Sequence, residues 1–484
     1  MIIKLSEMKT TLTFILLFLF QLGFSQKEFK TEKLLIDFDF AVEQLHLLHQ
    51  GFYNYEQKDI VDAKIEKLKN EIDSPMTKLE FYEIMRKLLG IMNEGHGSVD
   101  LPTWTMVKTG LSKSFFPLSV QFFDSKLVVT QNYGDNTKGL LQGDRIISIN
   151  GKSIEDVINR LLPLIPTDGF NETSSYEWLG GVNLSLLYRL VYGKQETFNL
   201  EVIEYGTEKV KSFQLPAVKF TKFKSKNGKF NFKQFEYESF VYRRINDSVG
   251  YLSIPDFYSR SDFPFFYKES FKKIKEQNIK HLILDIQDNV GGIEGNENLL
   301  FHYLTPTVIK KYKEVTMLRA AYLKNKNDKD YIFDKWQLKD TIAYRGEFTC
   351  YSDYFSDLGY QKPNEDYIYN GKLYILTSGV TFSGGAEFAS MIKMTNRGVF
   401  IGEETGGAYE GNVSGYSEDV KLPKTKIKFD IPTVHFKIDV NPKEIGRGII
   451  PDYKVPQTWE DYMTNKNTKL EFTLNLITNS NESN

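Results

Sequence analysis

The sequence predicts a multidomain α/β chain. Three observations carry that expectation. Apolar residues recur at three- and four-residue intervals in the first hundred positions, and short alternating strands fill the next hundred. From about residue 236 buried strands, loops and helices follow one another in a βαβ order. A length of 484 residues exceeds what one hydrophobic core usually organises, so two or three domains are expected. Lys and Arg total 61 against 63 Asp and Glu, a net charge of −2, which gives no electrostatic reason to expect nucleic acid as a partner.

The N-terminus reads as a secretory signal peptide over residues 1–25. Lys4 and Lys9 precede the apolar run "TLTFILLFLFQLGF", and Gly23 and Ser25 are the small residues ahead of a cut before Gln26. An uncleaved signal anchor is the competing reading, because the run is near the lower length of a membrane span. Cys350 is the only cysteine, which excludes an internal disulfide and disfavours a cysteine-based metal site. An exported chain without disulfides suits the periplasm or cell surface of a bacterium, with no stable membrane span once the signal is removed.

Residues 27–100 carry helical spacing in "FDFAVEQLHLLHQGFYNY", "DIVDAKIEKLKNEI" and "TKLEFYEIMRKLLGIMNE", and end in the glycine-flanked loop "NEGHGSV" holding His96. Over 105–217 strands dominate. Between them "GLLQGDRIISINGKSIEDVINRLLPLI" orders a turn, the strand "RIISI", the tight turn Asn150-Gly151 and an amphipathic helix opened by Ser153. That string resembles a PDZ domain, a resemblance that implies binding of an extended polypeptide as an added strand. A small β-domain without a ligand is the plainer alternative. The aromatic-rich segment "DGFNETSSYEWLGGVNLSLLYRLVYG" either shapes a substrate channel or packs on this module.

Over 236–456 the strands "SVGYLSI", "KHLILDIQ", "KLYILT" and "GVFIGE" alternate with the helices "FPFFYKESFKKIKEQ", "NENLLFHYLT" and "GGAEFASMIKM". Loops at the C-terminal ends of such parallel strands are where a catalytic site belongs. Residues 457–484 read as a surface helix and a polar tail.

Ser383 follows "KLYILT" and opens a helix, so the amides of Gly384 and Gly385 are unpaired donors of its first turn, where a developing oxyanion would be stabilised. An ordinary serine N-cap is the equal alternative on local sequence. The elbow pattern G-x-S-x-G is not met, since Thr381 stands at the first glycine position. A second glycine turn, "DIQDNVGG", follows a buried strand and places Gly291 and Gly292 where their amides can meet negative charge. It fits neither a phosphate loop nor a calcium loop.

Taken in order, the helical N-terminus, the PDZ-like string, "SVGYLSI", "LILDIQDNVGG", "TFSGGAEFA", "GVFIGEETGG" and "GIIPDYKV" resemble the C-terminal processing peptidase family, the tail-specific and tricorn-core serine peptidases. The resemblance implies a ClpP/crotonase-like peptidase core, with Ser383 as nucleophile and an oxyanion hole shared between Gly384 and the Gly291-Gly292 turn. It implies a polypeptide substrate and requires no metal or organic cofactor. Tail-specific members use a lysine in a loop corresponding to "ETGGAYEG", which holds none. Lys393 lies about 15 Å along the helix from Ser383, too far to take its proton.

Tricorn-like members use a histidine ahead of the PDZ module, and His96 occupies that place. His46 and His49 fall in helical patterns, His281 and His435 in strands and His302 in a helix, where structural roles are usual. In such enzymes a glutamate before "G-x-x-P-D" completes the catalytic set, which by resemblance is Glu444. Ser98 and Glu94 are the alternatives for orienting the imidazole. A catalytically inactive peptide- or ligand-binding protein on the same fold is the main rival, and a hydrolase of small esters or glycan-linked substrates a third.

Overall fold

The computed structural model describes residues 27–135, 139–224, 240–258, 263–327, 336–345, 360–361, 363–364 and 366–482. Residues 1–25, expected to be a signal peptide, lie outside the described residues, as do Cys350 and the polar stretch after Lys224. The fold is a mixed α/β arrangement with several sheets. No helix among the described residues is long and apolar enough to cross a membrane.

The core sheet is built from β1 (Val241–Arg244), β2 (Val249–Ser253), β3 (His281–Asp285), β4 (Lys372–Thr377), β5 (Val399–Gly402) and β6 (Tyr453–Lys454), in that spatial order. β1 runs antiparallel to β2, and every later neighbour is parallel. "VGYLS" and "HLILD" are apolar without alternation because both sheet faces are covered. Leu252, Leu282, Leu284 and Ile375 face one layer, where they meet Phe271 and Ile274 of the helix Phe263–Glu276 and Phe388 of the helix Gly384–Met394. Their sequence neighbours Tyr251, Ile283, Tyr374 and Leu376 face the opposite layer with Leu470 and Ile477. The C-terminal helix Thr468–Glu482 therefore covers a face of the core sheet and is no surface appendage. Lys469 and Thr473 on it are buried as well.

A second sheet orders Trp336–Lys339, Ile342–Arg345, Tyr312–Leu318, Lys428–Ile438 and Gly411–Lys421, with Ser98–Asp100 paired to Lys428–Asp430. The long hairpin 411–438 shares one hydrophobic core with the N-terminal helices Thr31–Leu48 and Lys78–Ile91, where Phe38, Leu45 and Leu88 meet Ile431, Val434 and Phe436. Asp37, fully buried, accepts from the amides of Lys424 (2.8 Å) and Thr425 (2.7 Å) at the hairpin turn. This sheet has no counterpart in the βαβ reading of the sequence.

The third sheet is antiparallel, in the order Val210–Pro216, Thr197–Ile203, Arg145–Ile149, Lys126–Asn132, Leu118–Phe123. The turn after "RIISI" takes positive φ at Asn150 (52°) and Gly151 (73°), and Ser153 caps the helix Ile154–Leu161 by accepting from the amide of Asp156. The aromatic-rich segment packs on this module: Leu179, Leu184 and Tyr188 join its core, and Gly181 bridges Val120 on the edge strand.

Candidate active site

Ser383 sits where β4 turns into the helix Gly384–Met394, with φ 51° and ψ −128°, a backbone conformation that non-glycine residues seldom adopt. Its hydroxyl makes no capping hydrogen bond, although Ser383 holds the N-cap position. The turn that strains it is over-determined. Thr381, fully buried, donates its hydroxyl to Ile286 O at the end of β3, and its own carbonyl accepts from the amide of Gly406. The amide of Phe382 donates to Asn289 O (2.9 Å). The strained strand-to-helix elbow thus exists without the glycine that the sequence pattern asks for.

Asn289 joins the two glycine loops. Its carbonyl holds Phe382, its Nδ2 donates to Ile254 O (2.9 Å), and its Oδ1 accepts from the amide of Gly291 (2.9 Å). A Cβ on Gly291 would stand 2.6 Å from both Gly384 N and Ser383 Cβ, and one on Gly292 2.1 Å from the Phe257 backbone, so both positions require glycine for close approach. The Gly291 amide is therefore already engaged, which corrects its expected part in an oxyanion hole. Among the described residues no backbone acceptor meets the amides of Gly292 and Gly384, and Gly292 N lies 3.6 Å from where a Gly384 Cβ would be.

His96 reaches this elbow from the first quarter of the chain. Its ring stacks on Phe382 with centroids 4.5 Å apart, and His96, Ser383, Gly292 and Gly384 line one cavity of about 500 Å³. The loop is held from three directions. The Gly95 amide donates to Asp168 Oδ1 (2.8 Å), Glu94 accepts from the Val413 amide (3.2 Å) and Asn54 Nδ2 (3.3 Å), and Ser98–Asp100 is stitched to the second sheet. Nδ1 of His96 lies 3.7 Å from Asp168 Oδ1. Neither ring nitrogen has a hydrogen-bond partner among the described residues.

The structure places Glu444 elsewhere. Its side chain is 75% exposed and lies 3.6 Å from Arg447 Nη1. A solvated surface carboxylate paired to an arginine is not brought beside His96; the carboxylate that the structure places there is Asp168, which is fully buried. Ser98 instead donates to Asp100. Sequence reading did not bring Asp168 beside His96 because a lone Asp-Gly pair in a long insertion carries no distinguishing pattern. Glu94, one of the alternatives, does belong to the group. Burial, and then the charge of Asp168, push its carboxyl well above the usual carboxylate range.

The far wall of the cavity is aromatic and aliphatic, with Tyr312, Trp336, Val434 and Phe436, and the Arg345–Glu294 ion pair (2.6 Å) also lines it. Beneath it Lys311, fully buried, lies 2.5 Å from Glu297 and 2.8 Å from Glu387 on the Ser383 helix. Burial opposes the charge on Glu387, but Lys311, Tyr312 and Asn412 together hold its pKa below the usual value. Those pairings fix the start of the Ser383 helix.

Residues 248–455 match peptidase family S41. The match indicates a serine peptidase, and the matched region spans β2 to β6 with the Ser383 elbow. No curated protein matches the chain by sequence. Mature CPAF complexed with lactacystin is 13% identical, with a TM-score of 0.61 over 89% of this chain and 95% of that one. Mature CPAF alone gives 0.57 at 13% identity over 89% and 94%. A putative peptidase from Parabacteroides merdae is 14% identical, with a TM-score of 0.44 over 93% and 96%. At these identities the likeness to CPAF is one of fold.

Proposed function

We propose that this S41 peptidase is exported and cleaves polypeptides with Ser383 as nucleophile and His96 as general base. The observation that carries the reading is the strained, uncapped Ser383 in one cavity with an imidazole whose Nδ1 faces a buried carboxylate. Asp168 acts on the substrate only through His96. It favours the tautomer with the proton on Nδ1 and stabilises the imidazolium that forms when the serine proton is taken. The hydroxyl oxygen attacks the scissile carbonyl, and the oxyanion is met by the amides of Gly384 and Gly292 at the positive end of the helix. His96 then gives its proton to the leaving amine, and water hydrolyses the acyl-enzyme.

The apolar wall beyond Ser383 suits a hydrophobic side chain next to the cleaved bond. The PDZ-like module is proposed to hold the substrate chain at the edge strand Leu118–Phe123, where the single bridge from Gly181 must give way for an added strand. An exported, histidine-using enzyme is the reading favoured by the N-terminal apolar run and by the loop "ETGGAYEG", which lacks lysine.

The test is reaction of the protein with a fluorophosphonate, followed by mapping of the adduct. A serine adduct at Ser383, lost in Ser383→Ala together with peptide cleavage, is the expected result. Cleavage that survives in Ser383→Ala removes the serine from the mechanism, and peptide binding with neither adduct nor turnover favours the receptor alternative.

A further inference from the structure

The carboxylates around His96 exceed what a serine mechanism needs. One ligand atom from each of Glu94, His96 and Asp168 lies within 4.8 Å of the others. Glu94 and Asp168 are fully buried, and Asp168 Oδ2 is a buried carboxylate oxygen with no hydrogen-bond partner, its Oδ1 being held by Gly95. Glu410 brings a third carboxylate, whose Oε1 accepts from Gly446 while Oε2 is buried and unpartnered. A buried cluster of this kind is electrostatically unfinished: several acceptors converge, and no cation of the chain enters among Glu94, Asp168 and Glu410 in the described contacts.

We propose that Glu94, His96 and Asp168 form an inhibitory divalent-cation site, with Zn²⁺ as the fitting ion. One imidazole nitrogen and two carboxylate oxygens with an open fourth position are the donor set of a three-ligand zinc site. Tetrahedral Zn²⁺ sets its ligand atoms about 3.3 Å apart; His96 Nδ1 and Asp168 Oδ1 are 3.7 Å apart, and the three groups, within 4.8 Å of one another, must converge by up to about 1.5 Å. The consequence for catalysis follows from the tautomer. A neutral imidazole has one lone-pair nitrogen and one N–H. An ion on Nδ1 takes the lone pair there and leaves the proton on Nε2, so no lone pair is left to accept the proton of Ser383. Zinc and turnover are then mutually exclusive.

The effect on turnover rests on His96 as general base; the binding of the ion does not. The experiment is a zinc titration by calorimetry on the metal-stripped protein. Wild type and Ser383→Ala are expected to take up one ion per chain with equal affinity, and Glu94→Gln and His96→Ala to weaken uptake at least about tenfold. Cobalt(II) supplies a second readout, the visible band of a four-coordinate nitrogen and oxygen site in wild type, absent in His96→Ala. Saturating zinc should cut fluorophosphonate labelling of wild type at least about tenfold, with recovery on adding a chelator. No uptake by wild type, or uptake that both substitutions leave unchanged, overturns the site. Full labelling with zinc bound overturns its inhibitory role. Absence of labelling even in metal-free protein, with zinc bound as expected, leaves the site standing and sinks the peptidase mechanism instead.

Discussion

The Ser383 elbow and the His96 loop stand against each other across one cavity, and they are built by opposite means. The elbow is assembled from adjacent ends of β3 and β4. Its glycines are required by backbone contact, and its strain is locked by the hydrogen bonds of Thr381 and Asn289. The His96 loop hangs from partners far along the chain: Asp168 lies 73 positions from Gly95 and Val413 319 positions from Glu94, and both nitrogens of the histidine are unpaired. The nucleophile is fixed within one sheet, by the end of the strand next to its own, whereas its base is positioned only once several layers have packed. Substitutions on the elbow should therefore damage chemistry and folding together, and those on the loop chemistry far more than folding.

The largest effect is expected for His96→Ala. Loss of the base should lower kcat by about 10⁴-fold or more with KM little changed. The thermal midpoint should hold, since the ring is partly exposed and makes no hydrogen bond. A fall in midpoint as large as that in Gly291→Ala would erase the contrast between the two regions.

That contrast also marks what the sequence could tell. "KLYILTSGVTFSGGAEFA" encodes the buried strand, the turn and the helix start within 18 residues, and the structure follows it. The βαβ order of the core was readable for the same reason. The hairpin 411–438 was not, because its strands pair with Tyr312–Leu318 and Ser98–Asp100, contacts that no local pattern announces. Glu444 was placed in the site by resemblance alone, and the structure puts it against Arg447 at the surface.

Asp168→Asn compared with Glu444→Gln tests that correction directly. Removing the charge beside Nδ1 should cost about 10²-fold or more in kcat at unchanged KM, the signature of a positioning residue. Glu444→Gln should stay within about twofold, since an exposed ion pair contributes little. If the two variants reverse this order, the glutamate implied by the family resemblance is restored.

Gly291→Ala and Gly95→Ala sharpen the comparison on the stability side. At Gly291, where φ is 89°, a Cβ meets Gly384 N and Ser383 Cβ at 2.6 Å, and rigid elbow backbone must move, for about 2 kcal/mol or more. At Gly95 the new methyl meets Phe382 Cζ at 2.8 Å, the far end of a side chain that can turn. Gly95→Ala should cost about 1 kcal/mol. It should lower kcat disproportionately, because the ring it displaces is the one stacked on His96. Urea denaturation of both variants beside peptide turnover reads the two quantities separately.

The smallest effect concerns the packing behind the His96 loop. His49 is buried, and burial, then the neighbouring His435 and His96, push its pKa from 6.5 down to about 3. Burial likewise takes His435 down to about 4. An unfolded chain binds these protons near pH 6.5 and the native state does not, so their contribution to stability is complete above that pH. It is lost as pH falls toward the native values, at about 1.4 kcal/mol per unit for each histidine. Glu177, raised to about 8 by burial and the nearby Glu403, has the opposite sign, losing stability as pH rises from 4.5. Comparing wild type with His49→Leu cancels that background. Between pH 6 and 4 the variant's unfolding free energy should fall less steeply by about one proton, and equal slopes would mean that His49 is already charged in the folded protein.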